Sequence, residues 1–241
     1  ITRSPTSTRF TIEPTCSTIP TPPWPTIAAF RAAGFGGGAP GRWEDAAKGR
    51  KDVAASRLKI PTVLFKQDLF FDDLKNRVEL LHFGVAHTHG DGFAWLPKEK
   101  ILFTGDACVN GAYNYVGDGN IHEWIKTLDH VIALKPLKVC PAHGLSGGPE
   151  VLANQQQYFK SLLAEVKKLK DAGKTAAEAQ AAANTIKETL RKDERIAHYI
   201  GQFIDAQVEK AWTELGGAAF PPKKQAQAEP VKLKASALAS R

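Results

Sequence analysis

Between Arg77 and His143 three short apolar runs each break off at a side chain able to bind a metal. The runs read RVELLHFGVAHTHGD, KILFTGDACVNG and, one helical stretch later, LKVCPAHG. His87, Asp106 and His143 each follow an apolar run and precede a small or turn-forming residue. Strands that end in this way present their last side chains at the edge of a sheet. Histidine nitrogen and carboxylate oxygen are good donors for zinc, and one site can draw them from far apart in sequence.

The flanking patterns agree. Val78 to Phe83 is apolar on both alternating sets apart from Glu79 and His82, which predicts a strand buried on both faces. A preceding strand through DLFF turns at Asp72-Asp73, and Thr62–Phe65 reads as a further short strand. Residues 92–95 and 101–103 bracket Pro97–Lys100 as a hairpin, and Gly105 permits the tight backbone that turns Asp106 inward. Residues 110–120 form a Gly-, Asn- and Tyr-rich loop long enough to roof a site, with Tyr113 and Tyr115 as candidate substrate contacts. Ile121, Trp124, Ile125, Leu128, Val131 and Ile132 repeat at helical spacing, with Asp118 or Asn120 as cap and His122 and His130 facing solvent. Helices are predicted over 42–58, over 151–172 up to Gly173, from the Thr175/Glu178 capping box onward, and over 196–215. His82 and His198 read as packed or surface histidines rather than ligands.

The order of these pieces resembles the metallo-β-lactamase-fold hydrolases. AHTHGDGFAWLPKEKILFTGD is similar to that family's His-Thr-x-Gly, strand, Leu-Pro turn, strand, Thr-Gly-Asp block, and PAHG to its last histidine motif. GDACVNGAYNYVGDGNIHEWIKTLDHVIALKP is similar to a periplasmic branch described as cyclase-like or quinoprotein-associated metallohydrolases. The resemblance covers roughly residues 60–148. It implies an α/β fold, the αββα sandwich, with its N-terminal half incomplete here and helices added C-terminally. It implies two zinc ions and a metal-bound hydroxide acting on a small-molecule substrate. His87 would complete the first metal site, Asp106 would bridge both metals and His143 would bind the second. The 110–120 loop carries no charge cluster that selects among a lactam, a thioester and a phosphodiester.

The family's first motif, His-x-His-x-Asp-His, is absent, because no histidine precedes His82. His87-Thr88-His89-Gly90-Asp91 imitates it but lacks the final histidine, so His87 is read as the later ligand with His89 and Asp91 as neighbours. Each metal then keeps at most two protein ligands, where catalytic zinc normally has three. Weak or absent metal binding is the expectation, since preoriented, deprotonated ligands supply most of the affinity. A non-catalytic binding or scaffold protein that kept the fold is the alternative.

Residues 1–26 hold eleven Ser or Thr and six Pro with no periodicity. They stand directly before IAAFRAAGFGG, the segment the family places after its first metal motif. Either a divergent N-terminus or a wrong-frame, non-native stretch is implied. The expected organisation is a low-complexity segment over 1–26, the sandwich domain with its helices over 27–216, and a disordered basic tail over 217–241. The chain contains no methionine, which points to a processed or partial product.

Charge excludes a nucleic-acid reading. The formal net charge is +7, but five of the cations and one acid fall in the last twenty residues, and no basic stripe with interleaved aromatics appears. No apolar run is long enough to span a membrane and no signal-peptide pattern is present. Compartment is periplasmic by resemblance alone. Cys16, Cys108 and Cys140 are too scattered for a disulfide framework.

Overall fold

The structure is a computed structural model that describes residues 48–56, 63, 65–73, 75–218 and 220. The segment 1–26, most of the 42–58 helix, Thr62 and Leu64 of the short strand, Cys16 and nearly all of the basic tail lie outside the described residues. Of the 42–58 helix, α1 (Lys51–Ala54) is seen, with Arg50 extended immediately before it.

Five strands form one sheet in chain order. They are β1 (Asp68–Asp72), β2 (Arg77–Leu81), β3 (Phe93–Leu96), β4 (Ile101–Phe103) and β5 (Lys138–Cys140). The β1–β2 turn is held by Asp73, whose Oδ1 accepts the amides of Lys75 and Asn76 at 3.1 and 2.7 Å. The first four strands are antiparallel neighbours, whereas β4 and β5 are parallel. A parallel pair needs a crossover, and α2 (Ile121–Ile132) supplies it. This topology places the site. The chain leaves β2, β4 and β5 at the same edge of the sheet, so the three donor-bearing segments all emerge there.

One face of the sheet is covered. Leu81, Phe93, Trp95, Leu102 and Val139 share a buried cluster with Trp124, Leu128, Leu152, Phe159 and Val208 of the helices. In α2 the buried side chains Ile121, Trp124, Leu128 and Val131 follow the expected stripe. Asn120 is the cap, its side chain accepting the Glu123 amide. His122 departs from expectation: rather than facing solvent freely, its Nδ1 lies 3.1 Å from Glu214, whose carboxylate also accepts the amides of Ile121 and His122. A carboxylate there complements the exposed N–H groups of a helix start.

α3 (Glu150–Asp171) buries Leu152, Tyr158, Leu162, Leu163 and Val166 as the pattern predicts. The Thr175/Glu178 capping box forms, but its helix is interrupted at Ala182, giving α4 (Ala176–Ala181) and α5 (Ala183–Leu190). The helix predicted over 196–215 is also broken. A 3-10 turn at Ala197–Tyr199 precedes α6 (Ile204–Glu214). Gly201 marks the break, and a Cβ there would press on Ala112 of the roof loop at 2.5 Å. Close approach of that loop therefore overrides the apolar stripe.

β2 is the other correction. Glu79 and Leu81 are buried on one face while Val78 and Leu80 are half-buried on the other. The described residues contain one sheet with helices over one face, and the second sheet of the expected sandwich is not among them.

Candidate metal centre

Asp106 sits in a 3-10 turn, Gly105–Ala107, immediately after β4. Gly105 has φ +53, as the tight turn requires. The turn is pinned from below. Thr104, fully buried, donates its hydroxyl to the Cys108 carbonyl at 3.0 Å, and the Trp124 indole donates to the Ala107 carbonyl at 2.8 Å. From β5, the Ala142 amide reaches the Gly105 carbonyl.

His143 follows β5. Its carbonyl accepts the Asn110 amide at 2.8 Å, and Gly144 beyond it has φ +89. Any Cβ at Gly144 would collide with the Asn110 carbonyl, so only glycine lets the two loops close this tightly. The result is contact between two of the expected ligands: His143 Nε2 lies 3.1 Å from Asp106 Oδ1, both side chains about half exposed.

His87 is held differently. Its Nδ1 lies 2.9 Å from the Tyr115 carbonyl. A carbonyl only accepts, so Nδ1 carries the proton and Nε2 keeps its lone pair, the arrangement typical of a histidine prepared for a metal. The ring packs beside Tyr115 and edge-on to Trp124. Asp91 accepts the amide and hydroxyl of Thr88 at 2.7 and 3.1 Å and so shapes the His87 loop. Burial pushes its carboxyl above the usual carboxylate range, the Thr88 hydrogen bonds pulling the other way. His89 is exposed and His82 bonds the Asp91 carbonyl at 2.7 Å, so neither joins the pair.

The residues do not complete a zinc site. Among the described residues no three His, Cys, Asp or Glu side chains come together that could hold a metal. Asp106 and His143 converge, His87 stands apart, and the seven histidines of the sequence offer no donor upstream. Cys108 is fully buried, and burial pushes its thiol far above the ordinary range, which makes it inert rather than a ligand.

Other features of the site have little sequence signal. The Tyr113 ring stacks near His143 at 5.1 Å, and Tyr115 lies between His87 and Phe203. His198, assigned no partner from sequence, places Nε2 3.0 Å from Asn110 Oδ1. An open cleft of about 510 Å³ runs beside His143, walled by the 110–113 loop, Gly144, Leu145 and Gln202. His198 and Gln202 were not legible as site residues because helix-to-loop contacts across more than eighty positions leave no local pattern.

The sequence is similar to known proteins. The metallo-beta-lactamase superfamily model matches residues 23–143. A type 2 metallo-beta-lactamase of Pseudomonas aeruginosa is 28% identical over 97 residues, 39% of each chain, so this chain spans about two fifths of that relative's length. Among solved structures, a metallo-beta-lactamase from Pontibacter korlensis is 24% identical at TM-score 0.39, covering 42% of this chain and 50% of that one. VMB-1 is 32% identical at TM-score 0.34, covering 38% and 44%. The family match extends over half of the sequence and takes in all three donor-bearing segments: the chain belongs to the metallo-beta-lactamase superfamily.

Proposed function

We propose that this chain carries one side of a zinc-dependent hydrolase site, that His87, Asp106 and His143 are its ligands, and that as the sequence stands it binds zinc weakly and is a poor hydrolase. The observation that carries the reading is the meeting of Asp106 and His143 at 3.1 Å beyond adjacent parallel strands, with no third donor joining them among the described residues. Zinc in such sites lowers the pKa of water and polarises the substrate. A hydrolytic step through zinc does not follow from this donor set. The cleft beside His143 has the volume of a small-molecule site, and Tyr113 and Tyr115 would line its approach. The cyclase-like branch and a periplasmic compartment belong to the same proposal and rest on resemblance.

The test is metal stoichiometry of the purified chain after dialysis against buffered zinc. Less than one zinc per chain at micromolar free metal is expected. Two per chain at sub-micromolar affinity would sink the proposal. A fold retained for binding is the second reading, favoured by the same missing donor. Resequencing the locus encoding residues 1–30 and its upstream flank separates the two. A His-x-His-x-Asp-His in another frame restores a complete hydrolase, whereas a continuous frame without it favours binding.

A further inference from the structure

Gln207 is chemically unlike the residues around it. It sits on the buried face of α6 with Ile204, Val208, Ala211 and Trp212, and is only 1% exposed. An amide buried there is costly unless both of its ends are hydrogen-bonded. Both are. Its Nε2 donates to the Asn114 carbonyl of the roof loop, 93 positions away in sequence. Its Oε1 accepts the hydroxyl of Tyr158, itself fully buried on α3. A carbonyl only accepts, so Nε2 must face Asn114 and Oε1 is left for Tyr158.

The effect of that bond extends past Asn114. The peptide joining Asn114 to Tyr115 is held at its carbonyl by Gln207 and at its N–H by the Tyr113 carbonyl, 2.9 Å away. The next carbonyl along the chain is that of Tyr115, which accepts from His87 Nδ1 at 2.9 Å. Phe203, in the turn before α6, meets the Tyr115 ring edge-on at 6.0 Å and steadies the same residue. We infer that Gln207 is a positioning residue for His87, on the reading above that His87 is a ligand. Through the Asn114–Tyr115 peptide it fixes the carbonyl that keeps the proton on Nδ1 and leaves the Nε2 lone pair free. Hydrogen bonds of this kind orient a metal-binding histidine and select its tautomer. The C-terminal helices are then part of the site and not an addition to it.

Nitrogen-15 NMR of the histidine rings in the zinc-free full chain, at about pH 8 where an ordinary ring is neutral, reads the His87 tautomer directly. In the wild-type chain the proton is expected on Nδ1. Gln207→Met has nearly the same shape and loses both bonds. The ratio of Nδ1–H to Nε2–H at His87 is expected to fall roughly tenfold in it, about the worth of one hydrogen bond. Tyr158→Phe removes the other bond of the same amide, and should lower the melting temperature while leaving His87 unchanged. A folded Gln207→Met chain with an unchanged His87 ratio overturns the inference. So does a Tyr158→Phe chain that shifts the ratio equally, or a wild-type ring protonated on Nε2. Should Gln207→Met fail to fold, Gln207→Asn, whose amide stops one methylene short of Asn114, is judged by the same outcomes. The readout needs no zinc, so a chain found to bind two zinc ions would overturn the metal proposal and leave this result standing.

Discussion

Trp124 links the core to the Asp106 turn through one hydrogen bond. Its ring is fully buried, and its indole N–H satisfies the Ala107 carbonyl at the end of the Asp106 turn. Trp124→Phe keeps most of the packing but leaves that buried carbonyl unpaired, at a cost of about 1–3 kcal/mol. A lower melting temperature is expected by calorimetry, with more mobile Asp106 and Ala107 amides in hydrogen exchange. Unchanged protection at Asp106 would show that the turn does not depend on this bond. Gly144→Ala attacks the opposite wall. Positive φ and collision with the Asn110 carbonyl act together there, so destabilisation of about 1–3 kcal/mol is expected. At this scale the sequence was informative where a donor follows a strand end, and the structure sets two such side chains, Asp106 and His143, 3.1 Å apart. It was silent on the His87–Tyr115 and His198–Asn110 bonds, because each joins residues whose spacing is set by tertiary packing.

Helix starts were the most legible elements, because capping is local chemistry. Thr175 accepts the Glu178 amide, and Glu178 accepts the Thr175 amide, as the four-residue pattern predicts. Thr175→Ala is expected to cost about 1 kcal/mol. The same box gives a signed pH effect. Chiefly the Thr175 amide, helped by Lys174 and the Thr175 hydroxyl, holds the Glu178 carboxyl down to about 2, below its ordinary 4.5. A depressed native pKa means the unfolded chain binds more protons in that window. The stabilisation is therefore fully present above about 4.5 and is lost as pH falls toward 2. Glu178→Gln should lower stability at pH 7, where the stabilisation is fully present, and change little near pH 2, which flattens the acid limb of stability against pH in this range. An identical acid limb in the variant would refute it. Helix ends in the middle of the chain were less legible. The apolar stripe over 196–215 runs straight through Gly201, where Ala112 approaches closely, and the α-helix begins only at Ile204, a break invisible to periodicity.

For the whole molecule, topology carries more of the site than any one motif. The chain leaves β2, β4 and β5 at a common edge, so the three donor segments emerge on the same side of the sheet, although only Asp106 and His143 meet there. The main hydrophobic cluster lies on the helix side of the sheet, built from residues such as Phe93, Trp124, Tyr158 and Trp212 rather than from the ligands. Folding stability and metal binding should consequently be nearly independent in this chain. Binding linkage makes that quantitative. A ligand at a hundred times its Kd stabilises the native state by about 2.7 kcal/mol, whereas one near its Kd contributes about 0.4 kcal/mol. At roughly 2–4 °C per kcal/mol for a domain of this size, a complete sub-micromolar zinc site would raise Tm by roughly 5–10 °C in about 100 µM zinc. The pair of Asp106 and His143, with His87 apart, should raise it by no more than about 1–2 °C, and Asp106→Asn should remove even that. Differential scanning calorimetry with and without zinc, on the wild-type chain and the variant, reads both numbers. A shift above about 5 °C that vanishes in Asp106→Asn would mean that this chain assembles a third donor after all, and that its metal chemistry is intact.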